Sequence, residues 1–242
     1  SKIKLVITGP FSKELVNRKN KNLVFKAAKY LLKEFNINDN TEIILEKNLP
    51  VASGIGGGSS NAAATLKTLP KVLKIENNKK LKLVQNKIAI KLGSDIIACL
   101  NSKPAKILET GAKLAKLNVG LKRIIIRNRW LVLVTVNKKI STEKIFNNLK
   151  KIIPLTKIPN KSSLTYSIGI NNLKNISEHL VPEIVVAQDF LSKQKGIKFF
   201  GMSGSGPTCF GIFRKREEAI EATLNILKIR PKWWIKYGQL LS

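Results

Sequence analysis

Residues 49 to 66, "LPVASGIGGGSSNAAATL", crowd four glycines and three serines into the eight positions 53–60 and then run straight into an alanine-rich segment. This stretch limits the fold more than any other. Upstream, "TEIILE" at 41–46 reads as a strand, and Ala62 to Ala64 open a helical pattern. The chain must therefore turn from strand to helix through a loop of glycine. Flexible linkers are usually polar on both sides, whereas this loop is bounded by regular elements. The remaining reading is an anion site. A helix N-terminus presents free N–H groups and a partial positive charge, glycines let the backbone approach an anion closely, and Ser59 and Ser60 add hydroxyl donors. A nucleoside triphosphate suits such a loop. It is not a P-loop, because no Lys-Ser/Thr pair follows the glycines. The G-x-G-x-x-G spacing of dinucleotide folds is met weakly at best, with no acidic residue ending the next strand.

The rest of the chain alternates strands and helices. Strands are expected at 3–8, 41–46, 129–136, 197–202, 208–213 and near Trp233. Helices are expected from Asn22 to about Phe35, from Ser59 to Leu69 with a stop at Pro70, around Leu81 to Leu92, near Ser141 to Leu149, on either side of Pro182, and from Glu217 to Leu227. A polar connection is read at 154–163. Several strands are placed to pair as neighbours, so an α+β fold of two subdomains is expected rather than a doubly wound sheet. At 242 residues the chain is long enough for a sizeable core. No apolar run approaches the length of a membrane span. Cys99 and Cys209 match no metal or redox spacing and read as two buried thiols; no metal-ligand set is expected, and His179 is read as merely exposed.

A formal charge of +29 raises the question of nucleic acid. Only 7 of the 44 basic residues are arginine, and the lysines are spread along the whole length. Clusters such as Lys79, Lys80 and Lys82, or Lys150 and Lys151, read as solvated faces. Specific nucleic-acid binding is therefore not expected, while salt-sensitive adhesion to polyanions is.

Three segments together carry a resemblance to a known family. "LPVASGIGGGSSNAAATL" resembles the ATP-binding motif of the GHMP kinases, "LGSDIIACL" at 92–100 their catalytic aspartate segment, and "GMSGSGPTCFGIF" at 201–213 their C-terminal glycine motif. "NLVFKAAKYL" at 22–31 and "ISTEKIF" at 140–146 fall in the family order as well. The resemblance implies an N-terminal domain of the ribosomal S5 domain 2 type over 1–128 and a ferredoxin-like C-terminal domain over 129–242. It implies ATP and Mg²⁺ as cofactors, held by Pro50, Val51, Ala52, Ser53, Gly54 and Ile55 and then by Gly56, Gly57, Gly58, Ser59, Ser60 and Asn61. A hydroxyl of Ser59 or Ser60 is the implied Mg²⁺ contact.

Asp95 is the implied catalytic base; read from the residues alone, it is first an N-cap of a short helix, and the other motifs reverse that preference. Ser203, Gly204, Ser205 and Gly206 are the implied second substrate loop, with a plain tight turn as the alternative. Thr142 and Phe146 are implied to face a cytidine, although Phe146 also reads as a core aromatic. The triple glycine points to the branch of the family that phosphorylates 4-diphosphocytidyl-2-C-methyl-D-erythritol in the non-mevalonate isoprenoid pathway. That branch implies a monomer or homodimer in the bacterial cytoplasm or a plastid, with no membrane partner. Two family features have no counterpart here: an early strand with an "AKINL" lysine and a "DGYH" segment. The chain is accordingly expected to be an N-terminally shortened form.

Overall fold

The computed structural model describes residues 2–15, 20–108, 113–116, 130–138, 140, 145, 171 and 173–240. Two compact units emerge. One comprises Ser1–Val51 and Gly56–Val119, the other Ala52–Ile55 and Gly120–Ser242.

The first unit opens with strand β1 (Ile3–Thr8), helix α1 (Leu23–Glu34) and strand β2 (Thr41–Glu46). β1 and β2 pair in parallel from Ile3↔Thr41 to Thr8↔Glu46, which requires the crossover that α1 supplies. Asn22 starts α1 by accepting the Val24 N–H at 2.9 Å on its side chain. Val24, Ala27, Ala28, Leu31 and Leu32 then recur at helical spacing and are all buried. Helix α2 (Gly57–Val72) follows the glycine loop, then α3 (Lys79–Leu92) capped by Asn78, α4 (Ser94–Asn101), and the hairpin of β3 (Ala105–Leu108) with β4 (Lys113–Lys116). Leu31 of α1, Leu66 and Leu69 of α2, Ile88 of α3 and Ile96 of α4 form the shared core. Burying each such leucine or isoleucine side chain contributes roughly 1.5–3 kcal/mol.

The second unit contains β5 (Trp130–Thr135), α5 (Lys174–Leu180), α6 (Glu183–Ser192), β6 (Ile197–Met202), β7 (Thr208–Phe213), α7 (Arg216–Ile229) and β8 (Trp234–Gln239). The sheet order is β6-β7-β5-β8 and every neighbouring pair is antiparallel. β7 and β8 therefore flank β5 as a split β-α-β unit joined by α7, which is the ferredoxin-like arrangement. Val132, Val134, Cys209, Phe213 and Ile235 from the sheet meet Ile184 and Leu191 of α6 and Ala222 and Ile226 of α7. The α+β expectation is met.

Helix α2 departs from the expected span. It begins at Gly57, two residues before Ser59, and it continues through Pro70 to Val72. A proline inside a helix deprives the carbonyl four residues back of its donor. Here that carbonyl belongs to Leu66, and the Gln85 side-chain amide of α3 donates to it at 2.8 Å. The helix therefore passes a residue that ends most helices. The helix expected near Ser141 to Leu149 and the connection at 154–163 lie outside the described residues, apart from Ile145. Cys209 is buried as expected, but Cys99 is only half-buried; both are free thiols. No helix among the described residues is long and apolar enough to cross a membrane.

Candidate functional site

In the first unit the site centres on the start of α2. Gly56 is its N-cap, with φ +68° in the left-handed region, and no side chain caps the helix. Gly56 has nothing within 4 Å of the place where a Cβ would stand. The Ser60 N–H already bonds to the Gly56 carbonyl at 2.8 Å, so the N–H groups before it are the orphan donors of the first turn. Ser59 and Asn61 are half-buried on this turn, and Gly58 and Ser60 are exposed. Glycine at 56 permits the left-handed turn, and at Gly57 a Cβ would stand 3.0 Å from the Lys47 Nζ, the end of a flexible side chain.

Lys47 follows β2 directly. Its backbone is fastened at both ends: its N–H donates to the Thr8 carbonyl at 2.8 Å, and its carbonyl accepts the Phe11 N–H at 3.2 Å. The residue is 5% exposed. Burial pushes its amine below the usual lysine range, and Glu14 opposes that in part. Sequence reasoning passed over Lys47 because one lysine among 44 basic residues carries no signal of its own.

Asp95 lies in the first turn of α4. The N-cap is Gly93, so Asp95 is inside the helix rather than capping it. It is exposed. Its charge reaches Cys99 one turn later: burial raises that thiol first, and Asp95 adds to the rise. An acidic residue in the first turn is favoured by the helix dipole, and its carboxylate remains open to solvent.

The expected cradle at 50–60 does not behave as one piece. Pro50 and Val51 group with the first unit, Ala52 to Ile55 with the second, and Gly56 onward with the first again. Within the second unit, Ala52 to Ile55 meet the other glycine loop. The Ser203 hydroxyl donates to the Gly54 carbonyl at 3.0 Å, and the Thr208 N–H donates to the Ser53 carbonyl at 3.3 Å. Gly54 has φ +74°, and a Cβ there would fall 2.5 Å from the Ser203 carbonyl oxygen. Gly204 and Gly206 are also left-handed, and the Gly206–Pro207 peptide is cis. The Gly206 N–H returns to the Ser203 carbonyl at 2.9 Å, which closes the turn.

Two side chains that sequence reasoning missed hold this loop. The Asn171 amide donates to the carbonyls of Met202 at 3.1 Å and Gly204 at 2.7 Å, and the Ser177 hydroxyl donates to the Ser205 carbonyl at 3.1 Å. Both lie far from the loop in sequence, Ser177 within α5 and Asn171 before it, where a polar residue most often caps the helix. Asn171 does so as well, accepting the Leu173 N–H at 3.0 Å. Thr142 and Phe146, expected to face a cytidine, lie outside the described residues. Exposed His179 takes no part in these contacts.

An uncapped glycine helix start in the first unit, and in the second a ferredoxin-like sheet with a glycine turn between two of its strands, are features of a class of small-molecule kinase. The family model described as "GHMP kinases N terminal domain" matches residues 22–103, and that described as "GHMP kinases C terminal" matches 164–229. The chain belongs to the GHMP kinases. Within that family, several curated relatives are 4-diphosphocytidyl-2-C-methyl-D-erythritol kinases. The one from Parvibaculum lavamentivorans is 34% identical over 245 residues, covering 97% of this chain and 81% of the relative. The one from the Wolbachia of Brugia malayi is 34% identical over 226 residues, covering 91% and 75%. A crystal structure of 4-(cytidine 5'-diphospho)-2C-methyl-D-erythritol kinase superposes with a TM-score of 0.72 at 23% identity, over 100% of this chain and 84% of that one. At that identity the superposition shows the shared fold.

Proposed function

We propose that this chain transfers the γ-phosphoryl group of ATP to the 2-hydroxyl of 4-diphosphocytidyl-2-C-methyl-D-erythritol, giving the 2-phosphate and ADP. The observation that carries the reading is the uncapped start of α2, with left-handed Gly56 before it and open space around the Gly56 Cβ position. Orphan N–H groups and the positive end of the helix dipole bind phosphate oxygens without further side chains. The names of the curated relatives supply the acceptor.

In the transfer, the acceptor oxygen forms a bond to the γ-phosphorus as the bond from that phosphorus to the β,γ-bridging oxygen breaks. The proton of the acceptor hydroxyl passes to the Asp95 carboxylate. Catalysis of this kind is mostly positioning and charge neutralisation, because the metaphosphate-like transition state asks little covalent help of the protein. The α2 N–H groups hold the phosphates, and Asp95 orients the acceptor and takes its proton. Ser203, Gly204, Ser205 and Gly206 bind substrate through backbone groups that Asn171 and Ser177 keep in place. Thr142 and Phe146 are assigned to the cytidine. A hydroxyl of Ser59 or Ser60 is a hard oxygen ligand of the kind Mg²⁺ accepts, and the ion, when bound, neutralises charge on the triphosphate.

The test is ADP release by the chain with Mg-ATP and 4-diphosphocytidyl-2-C-methyl-D-erythritol, run beside Asp95→Asn. The expected outcome is turnover that falls about 10²–10⁴-fold in Asp95→Asn while nucleotide affinity is unchanged. Turnover that survives the substitution would remove Asp95 from its role. Nucleotide binding with phosphate transfer only to homoserine or mevalonate would leave the family and overturn the acceptor.

A further inference from the structure

A buried ammonium beside the positive end of a helix is an arrangement that an empty protein does not favour. Lys47 is 5% exposed, and among the described residues its Nζ makes no hydrogen bond or ion pair. The amine stands 3.0 Å from the place where a Cβ on Gly57, the first residue of α2, would be. The same turn has no side-chain cap, so its N–H groups and the Lys47 ammonium are donors of like sign at one end of the helix. Desolvating a charge costs several kcal/mol unless an opposite charge restores it. Glu14 is felt through space, but burial outweighs it, because the amine stays below the ordinary range. An anion placed between the amine and the helix start satisfies both sets of donors at once.

We infer that Lys47 and the first turn of α2 form one polyphosphate site, in which the Lys47 ammonium is a direct ligand of the nucleotide phosphates. The inference rests on the proposed phosphate binding at α2 and adds to it a residue that the glycine motif does not contain. The backbone geometry supports a fixed role. Both bonds of the Lys47 peptide groups, to Thr8 and Phe11, hold the base of the side chain, and Gly9 is confined by it, since a Cβ there would stand 2.8 Å from the Lys47 N. The ammonium therefore reaches its place from a rigid origin rather than from a mobile surface stem.

The probe is inorganic tripolyphosphate, which lacks base and ribose, with ADP as a second ligand. Lys47→Met keeps the stem and removes the charge; Lys82→Met, on exposed α3, controls for the general attraction of a +29 protein to polyanions. Calorimetry at about 0.15 M salt, where unpaired surface charges are largely screened, should give a loss of about 10–100-fold in tripolyphosphate affinity for Lys47→Met. Lys82→Met should bind as the parent chain does. A second readout separates ligand binding from structure: without ligand, Lys47→Met should melt about 2–4 °C above the parent, because an uncompensated buried charge has gone. A structural lysine would shift melting the other way. Unchanged tripolyphosphate and ADP binding in Lys47→Met would overturn the inference and leave the kinase reading standing. Absence of stoichiometric ADP binding in the parent chain would overturn both.

Discussion

At Gly54 the backbone leaves no room for a side chain: a Cβ would lie 2.5 Å from the Ser203 carbonyl oxygen and 2.6 Å from that of Gly206. Gly56, two residues on, shares the left-handed φ but has open space around it. The two positions separate strain from collision. Gly56→Ala should cost about 1–2 kcal/mol, the price of a left-handed alanine, whereas Gly54→Ala should cost at least about 3 kcal/mol, since the Ser203 and Gly206 backbones must also move. Urea denaturation of both variants checks the order, and equal losses would mean that the loop contacts are slack. Cys209 supplies a second prediction. Burial first, and Glu178 second, push its thiol from 9.0 up to about 12. The folded chain thus keeps a proton that the unfolded chain releases near its ordinary value. The contribution is complete below about pH 9 and is lost between about pH 9 and 12, at roughly 1.4 kcal/mol per pH unit. Relative to Cys209→Ala, the parent chain should lose stability over that window and not below it. In the native chain at pH 8, a thiol reagent should label Cys99 and spare Cys209, and two thiols should react once the chain is unfolded.

Helix α2 shows at the level of the element how one distant residue rescues a local fault. Pro70 cannot donate to the Leu66 carbonyl, and Gln85 of α3 does so instead at 2.8 Å. Gln85→Leu should leave a buried carbonyl without a partner and cost about 1–3 kcal/mol. In a Pro70→Ala background the restored N–H takes the bond, so the same substitution should cost less than about 0.5 kcal/mol. Equal costs in both backgrounds, measured by chemical denaturation, would show that Gln85 matters for packing alone. The start of α2 was legible to within two residues because glycine and serine before alanine mark it, and α1 and α3 because their apolar spacing is regular. Its extension through Pro70 was not legible. A helix stop is inferred from the missing donor, and the replacement donor lies 19 residues away in sequence, on an element whose packing the pattern does not specify.

For the whole molecule, charge and connectivity set the remaining behaviour. A net +29 carried by scattered lysines attracts polyanions without reading them. Retention on heparin or mixed RNA should therefore fall steeply with salt, about 10³-fold or more between about 50 and 200 mM, with no preference among sequences. A sequence preference persisting at 0.5 M salt would point instead to a nucleic-acid site. The sequence by itself determined the class of fold, the glycine motifs and the order of most helices and strands, because periodicity, turn residues and motif spacing are local properties, while Asp95 as candidate base came from the resemblance to the family. Only the tertiary structure decided that residues 52–55 group with the second unit, that Asn171 and Ser177 hold the loop at 203–206, and that Lys47 is buried against the start of α2. Each of these depends on which groups meet across long stretches of chain, and in a sequence with 44 basic residues no local pattern distinguishes the lysine that is buried from those that are not.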